Sequence, residues 1–347
     1  MPPAVQSNDE ISTLGEFGLI RHLTKQIRLQ NTSTEVGVGD DAAVLNYGDK
    51  KIVVTTDLLT EGIHFNLEYT PLKHLGYKAA VVNFSDVYAM NAIPKQLLIS
   101  IALSSKFKIG MIESLYEGLL LACKKYGVDL VGGDTSSSLT GMTLSVTVLG
   151  ETENGKTVYR KGAGSNDLIC VSGDLGAAYM GLQVLERERK VYLDHPEIQP
   201  DLSEYNYILE RQLKPEARSD IIRLLDENNI RPTSMIDISD GLSSELLHIC
   251  KESNVGCKIF SEKVPIHPST ATAAAEFNIE PLVAALNGGE DYELLFTVSL
   301  KDFDKIAPRP EVSVIGHITD KSENARLFTP TGTSVEITAQ GWNTLTR

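Results

Sequence analysis

No apolar run in this 347-residue chain approaches the ~20 residues that a membrane-spanning helix needs, and the opening MPPAVQSNDE has neither a basic start nor an apolar stretch. A soluble protein with no membrane partner is expected, its residues 1–10 a mobile tail. Cysteine is scarce: Cys123, Cys170, Cys250 and Cys257 stand apart without CxxC spacing. That argues against a zinc site or a disulfide framework and for reduced thiols in a cytoplasmic protein. Basic charge is in deficit, with 32 Lys and Arg against 46 Asp and Glu and a net charge of −14. Proteins that grip a nucleic-acid backbone present a basic face, so no nucleic-acid partner is expected. Also missing are the GxxxxGK[ST] phosphate loop and the VAIK, HRD and DFG set. Short repeats and low-complexity tracts are absent as well.

What is present is ordinary globular material, 42% hydrophobic and 22% charged, at a length that suits two domains. Phe17, Ile20, Leu23 and Ile27 fall at helical spacing and predict a helix from Leu14 to Ile27, feeding the glycine-rich loop NTSTEVGVGD. AAVL and KIVVTTD read as strands joined by the turn NYGDK, which puts Asp40 and Asp41 at the start of one strand and Asp57 at the end of the other. LGYKAAVVNFSDVYAMNA reads as a buried helix, QLLISIALS as a buried strand, MIESLYEGLLLACKKYG as an amphipathic helix, and DLVGGD and MTLSVTVLGE as two further strands. This is an α+β domain with a mixed sheet, expected over 11–150. The polar segment ETENGKTVYRKGAGSND then leads into an α/β domain over 151–347. Its expected elements are strand LICVSG, helix AAYMGLQVLERER, a helix around RSDIIRLLDENN, strand SMIDIS, helix GLSSELLHICKES, strand GCKIF, an alanine-rich helix and strand YELLFTV. Turn formers and tyrosines from Val191 to Tyr207 predict an extended loop or insertion.

Carboxylates recur where these elements end or turn: GDD (Asp40, Asp41), TTD (Asp57), FSD (Asp86), GGD (Asp134), DISD (Asp237, Asp240) and GGED (Glu290, Asp291). Taken singly, each can be a strand-end or helix-cap residue that satisfies backbone N–H groups. Gathered in one cleft, two ionised carboxylates ~4 Å apart would repel by about 4 kcal/mol at an effective dielectric near 20 and would call for cations. Hard oxygen ligands of that kind suit magnesium shared with substrate phosphates. Asp86 is the most telling, because it interrupts the apolar run AAVVNFSDVYAM, where an unpaired charge is costly to bury; a satisfied buried hydrogen bond is the other reading. Gly132 and Gly133 before Asp134, and Gly288 and Gly289 before Glu290, would admit a close backbone approach to a phosphate, or simply make turns. The strand-to-helix junction SGDLGAA (Gly173 to Gly176) is read as αβ packing rather than a phosphate site. Arg160, in the polar segment, could clamp a phosphate with its planar fork or stand solvated.

In order and spacing, GVGDDAAVL, VTTDLLTEGIHF, KAAVVNFSDVYAM, LVGGDTS, RKGAGSNDLICVSG, MIDISDGLSSEL and GGEDYELLFTV resemble thiamine-monophosphate kinases over about residues 11 to 345. The resemblance implies the aminoimidazole ribonucleotide synthetase-like architecture, an ATP-binding α+β domain paired with a C-terminal α/β domain. It implies that Asp41, Thr55, Thr56, Asp57, Asp86, Asp134, Asp237 and Asp240 hold several magnesium ions, Asp40 being the uncertain neighbour. Tyr116, Gly133, Asp134, Arg160 and Ser239 would face ATP, and His64, Glu290 and Trp342 would line the thiamine site. It further implies direct transfer of the γ-phosphoryl group of ATP to thiamine monophosphate, with no catalytic side chain in an acid–base role, in a homodimer formed through the N-terminal domain. Selenophosphate synthetase and the hydrogenase-maturation dehydratase of the same superfamily fit less well, since no cysteine stands near either end of MPPAVQ…TLTR; against aminoimidazole ribonucleotide synthetase no such absence speaks, and IHF after TTDLLTEG and GGEDYELLF favour the kinase. An idle nucleotide- or thiamine-phosphate-binding protein is the alternative from another class.

Overall fold

A computed structural model describes residues 18, 20, 24, 30–197 and 199–339. Most of the expected Leu14–Ile27 helix, the expected tail at 1–10 and Trp342 lie outside the described residues. The rest forms two sheets. In the first, strands β1 (Thr34–Val36), β2 (Ala43–Asn46), β3 (Lys50–Thr60), β4 (Ile93–Leu103), β5 (Asp129–Ser137) and β6 (Met142–Glu153) lie in the order β1-β2-β3-β6-β4-β5. Neighbours are antiparallel except β4 and β5, so the sheet is mixed as expected. Period-two burial is plain in β6, where Met142, Leu144, Val146 and Val148 face the core.

That face is covered by α1 (Leu72–Ala89) and α2 (Ile109–Tyr126). The reading of α1 as a buried helix holds, with Tyr77, Phe84 and Val87 all in the core. The two helices touch backbone to backbone. A Cβ on Gly76 would stand 1.9 Å from the Leu115 carbonyl oxygen, and one on Gly118 1.7 Å from that of Lys73. Only glycine fits at either crossing point.

The second sheet contains β7 (Leu168–Ser172), β8 (Ser234–Asp237), β9 (Gly256–Phe260), β10 (Leu294–Val298), β11 (Val312–Thr319), β12 (Ala325–Phe328) and β13 (Ser334–Glu336), in the order β13-β12-β9-β11-β7-β10-β8. Every residue of β7, β8 and β10 is buried. Continuous apolar strands of this kind require cover on both faces. On one face lie Leu242, Leu246 and Ile249 of α6 (Leu242–Ser253); on the other lie Ile221 and Leu225 of α5 (Ser219–Glu227), with Ala89 of α1 joining them. The remaining helices are α3 (Ala177–Asp194), α4 (Asn206–Leu213), α7 (Pro268–Glu276), α8 (Pro281–Asn287) and the short α9 (Phe303–Ile306). All four cysteines are buried and free.

Three sequence expectations change. The expected loop from Val191 to Tyr207 is shorter, because α3 runs on to Asp194 and α4 begins at Asn206. The charged helix formers RERK propagate α3 past its buried part, and Arg187 and Arg189 hold that turn to Glu276 and Glu68. Asp57 lies inside β3 rather than at its end, since β3 stays paired with β6 as far as Thr60 opposite Thr143. Strands β1, β11, β12 and β13 do not stand out in the sequence: β1 falls within the expected glycine-rich loop, and β1, β12 and β13 are only three, four and three residues long, too short to show a period.

Candidate active site

Three carboxylates that are far apart in sequence meet where the sheets adjoin. Asp41 comes from the loop before β2, Asp86 from α1 and Asp237 from the end of β8, and their carboxylate oxygens lie within 4.8 Å of one another. Asp41 and Asp237 are only 8% and 4% exposed. Burial raises all three carboxyls above their ordinary range. Asp86 is pushed well up by burial and then by the charges of Asp57, Asp237 and Asp41. Asp237 rises to about 8 through burial and then Asp41. Asp41 is also raised, by burial, even though the Arg160 charge opposes the change. A cluster whose charged form is so disfavoured is a cluster that lacks positive charge.

The strand pleat decides which neighbours take part. Along β3, Thr55 and Asp57 share the face that looks toward α1, and the Thr55 hydroxyl donates to Asp86 Oδ2 at 2.6 Å. Thr56 points to the opposite face, where its hydroxyl donates to the Val146 carbonyl at 3.0 Å. The structure thus brings the Thr55 hydroxyl to the aspartates and places that of Thr56 on the other side of the sheet. Asp40 and Asp41 also separate. Asp40 accepts the Arg160 backbone N–H at 3.2 and 3.3 Å, and burial followed by the Asp41 charge lifts its carboxyl to about 7. Asp41 Oδ1 takes the guanidinium of Arg160, from Nη2 at 2.5 Å and Nε at 3.2 Å, whereas its Oδ2 is buried with no hydrogen-bond partner. An orphaned buried carboxylate oxygen beside two more carboxylates is the donor set of a hard divalent cation, and magnesium fits it.

The next layer was not legible as such. Ser239 and Asp240 sit in the turn before α6, and their backbone N–H groups both donate to Glu245 Oε1, at 3.0 and 2.8 Å. Glu245 is 2% exposed, and burial followed by the Asp240 charge raises its carboxyl well above the usual range. Sequence reading passed over this residue of GLSSEL as part of a helix face. In the GGEDY turn, Glu290 and Tyr292 have φ of +58° and +52°, backbone that costs a side chain of order 1–3 kcal/mol and tends to be kept at functional sites. Glu290 Oε2 accepts from Lys78 Nζ at 3.1 Å and from Gln212 Nε2 at 2.9 Å. Asp291 serves a separate purpose. Its Oδ2 accepts the Gly176 N–H at 2.8 Å, capping α3 and accounting for SGDLGAA without a phosphate.

Tyr116, Gly133 and Asp134 come together on a surface cleft of about 710 Å³, with Ile99 and Leu130 beneath. The expected ATP-facing residues thus fall into two groups, these three in the cleft and Arg160 and Ser239 close to the aspartates. Asp134 is exposed. His64 is exposed in the turn after β3, its Nδ1 accepting the Thr60 N–H at 3.0 Å.

Residues 39–152 match the family model described as AIR synthase related protein, N-terminal domain. The chain is 34% identical over 337 residues to a thiamine-monophosphate kinase of Bacillus subtilis, covering 95% of this chain and 99% of the relative. It is 37% identical to that of Aquifex aeolicus over 287 residues, 83% of this chain and 87% of the other. A solved structure, AaThiL complexed with AMPPCP and TMP, superposes with a TM-score of 0.83 at 33% identity, covering 97% of this chain and 99% of that one.

Proposed function

The chain belongs to the thiamine-monophosphate kinase family, and on that premise we propose that its carboxylate cluster serves the ATP-dependent phosphorylation of thiamine monophosphate to thiamine diphosphate. The enzyme is a phosphotransferase of the two-domain α+β architecture, the domains taken as 11–150 and 151–347. Its donor is ATP, in keeping with the ATP analogue AMPPCP in the related complex.

A phosphate monoester has a second pKa of about 6, so the acceptor oxygen of thiamine monophosphate is already largely ionised at neutral pH. No general base is needed, and the site is rich in aspartates. The acceptor oxygen forms a bond to the γ-phosphorus in line with the bridging oxygen that leaves with ADP, and the obstacle is the repulsion of one anion by the other. Magnesium, when bound, would neutralise that charge, held by Asp41, Asp86 and Asp237 with Asp57, Asp134, Asp240, Thr55 and Thr56 as further oxygen donors. The protein's own groups orient the reactants. Tyr116 offers an aromatic face in the cleft, Gly133 lends its backbone to the cleft wall, and the Arg160 fork and Ser239 lie where phosphates would pass. His64 and Glu290 would meet the thiamine moiety, and Trp342 is assigned with them on sequence alone.

The convergence of Asp41, Asp86 and Asp237 from a loop, a helix and a strand end is the observation that supports this reading most. We further propose a cytoplasmic homodimer. The buried free cysteines suit a reducing compartment, and no helix among the described residues is long and apolar enough to cross a membrane. The face of the first sheet opposite α1 and α2, where Leu58 is 58% exposed beside Thr56, is the surface a second copy would cover. The test is to incubate the protein with ATP, magnesium and thiamine monophosphate and separate the products by chromatography. Thiamine diphosphate that depends on magnesium and is lost in Asp57→Ala is expected; intact ATP with no product would overturn the reading.

A further inference from the structure

Lys78 stands out for the same reason as Asp86: it puts a charge into the apolar helix segment GYKAAVVNF. A buried ammonium is costly unless it is paired and hydrogen-bonded. Lys78 is 5% exposed, and its Nζ donates to the Gln212 backbone carbonyl at 3.0 Å and to Glu290 Oε2 at 3.1 Å. The side chain of the same Gln212 donates to that same Oε2 at 2.9 Å. One carboxylate oxygen thus takes two donors, one from α1 in the first half of the chain and one from α4 in the second. The main chain of Glu290 is fixed separately, its N–H donating to the Ser239 carbonyl at 2.7 Å.

We propose that Lys78, together with Gln212, is a positioning residue that clamps Oε2 of Glu290 and so aims the other oxygen, Oε1, at the organic cation of the substrate. The proposal rests on the reading of Glu290 as a thiamine-side residue. The Glu290 side chain is 30% exposed, so it can meet a ligand, whereas the Lys78 side chain is 6% exposed and acts only through Glu290. Because Lys78 and Asp86 are eight residues apart on α1, the helix separates them by ~12 Å along its axis. One rigid element therefore registers the phosphate end of the site against the ring end. That spacing is on the scale of an elongated substrate with a phosphate at one end and a cationic ring at the other.

Lys78→Met keeps the apolar stem and removes the donor. Loss of a charge-assisted bond to Glu290 is expected to raise KM for thiamine monophosphate by about tenfold or more, leaving KM for ATP within about twofold. Gln212→Met, which removes the amide and keeps the backbone carbonyl, is expected to shift the same constant in the same direction by less, and it carries the test alone if Lys78→Met does not fold. Glu290→Gln completes a double-mutant cycle: if Lys78 works through Glu290, the double variant is no worse than the poorer single one. A wild-type protein that forms no thiamine diphosphate would sink the proposed function and this inference with it. An active wild type whose variants lose only thermal stability, change both KM values alike, or combine multiplicatively would overturn the clamp while leaving the function standing.

Discussion

Replacing Asp237 with Asn should make the metal-free protein more stable and the enzyme inactive. The carboxylate oxygens of Asp41, Asp86 and Asp237 lie within 4.8 Å of one another, and a pair of unit charges at that distance repels by about 3.5 kcal/mol at an effective dielectric near 20. Asp237 has two such neighbours. The Arg160 guanidinium on Asp41 and partial protonation offset most of the sum, so a net gain of roughly 1–3 kcal/mol is expected in Asp237→Asn. The pH dependence has a definite sign. The Asp237 carboxyl is raised from 3.8 to about 8, so the folded form keeps its proton where the unfolded chain has lost it. Its favourable contribution is complete below about pH 4 and is lost as pH rises through 8. Thermal melts in EDTA at pH 6 and pH 8.5 read this directly. Wild type should lose stability between the two, Asp237→Asn should lose less, and at pH 8.5 the variant should melt a few degrees higher. With magnesium and ATP added the ranking should reverse, as only the wild type gains from the ions. A variant that melts below wild type in EDTA at pH 8.5 would refute the claim that the cluster is short of positive charge.

Three further outcomes are expected. Glu245→Ala should destabilise the fold by about 2–4 kcal/mol in urea titrations, because the N–H groups of Ser239 and Asp240 lose their shared acceptor, while Glu245→Gln, which keeps an acceptor oxygen, should cost much less. Gly76→Ala should fail to accumulate as folded protein, since its Cβ would stand 1.9 Å from the Leu115 carbonyl oxygen; a circular-dichroism melt like that of wild type would count against the backbone contact. Tyr116→Ala should raise KM for ATP by roughly tenfold through loss of an aromatic face and leave KM for thiamine monophosphate nearly unchanged, as steady-state kinetics with each substrate varied would reveal.

Much of the scaffold was legible because its signals are local. The apolar density of α1, the amphipathic α2 and the β2–β3 hairpin announce themselves within a dozen residues each. The convergence of Asp41, Asp86 and Asp237 is not local, and the reason for expecting it was the order of motifs rather than any single one. What escaped was set by geometry that appears only on folding. Thr55 and Thr56 look alike in sequence and differ by a pleat, which sends one hydroxyl to Asp86 and the other to Val146. That Arg160 would also meet Asp41, through Nε and Nη2, is likewise visible only in the fold. Lys78 could have been found by the reasoning applied to Asp86, since both place a charge inside one apolar helix. Glu245 could not, because a glutamate in the first turn of a helix has a sufficient local explanation in the helix dipole.

The division of the cluster between the two halves of the chain also sets a chronology for each new molecule. Asp41, Asp57 and Asp86 leave the ribosome together, but Asp237 follows roughly 150 residues after Asp86, on the order of ten to thirty seconds later at ordinary synthesis rates. Until β8 docks beside α1, the nascent chain holds only part of its carboxylate cluster. The complete cluster therefore exists only once both halves have been made and joined, and because β8 pairs with β10 the strand that carries Asp237 finds its neighbour only after Val298 has been made.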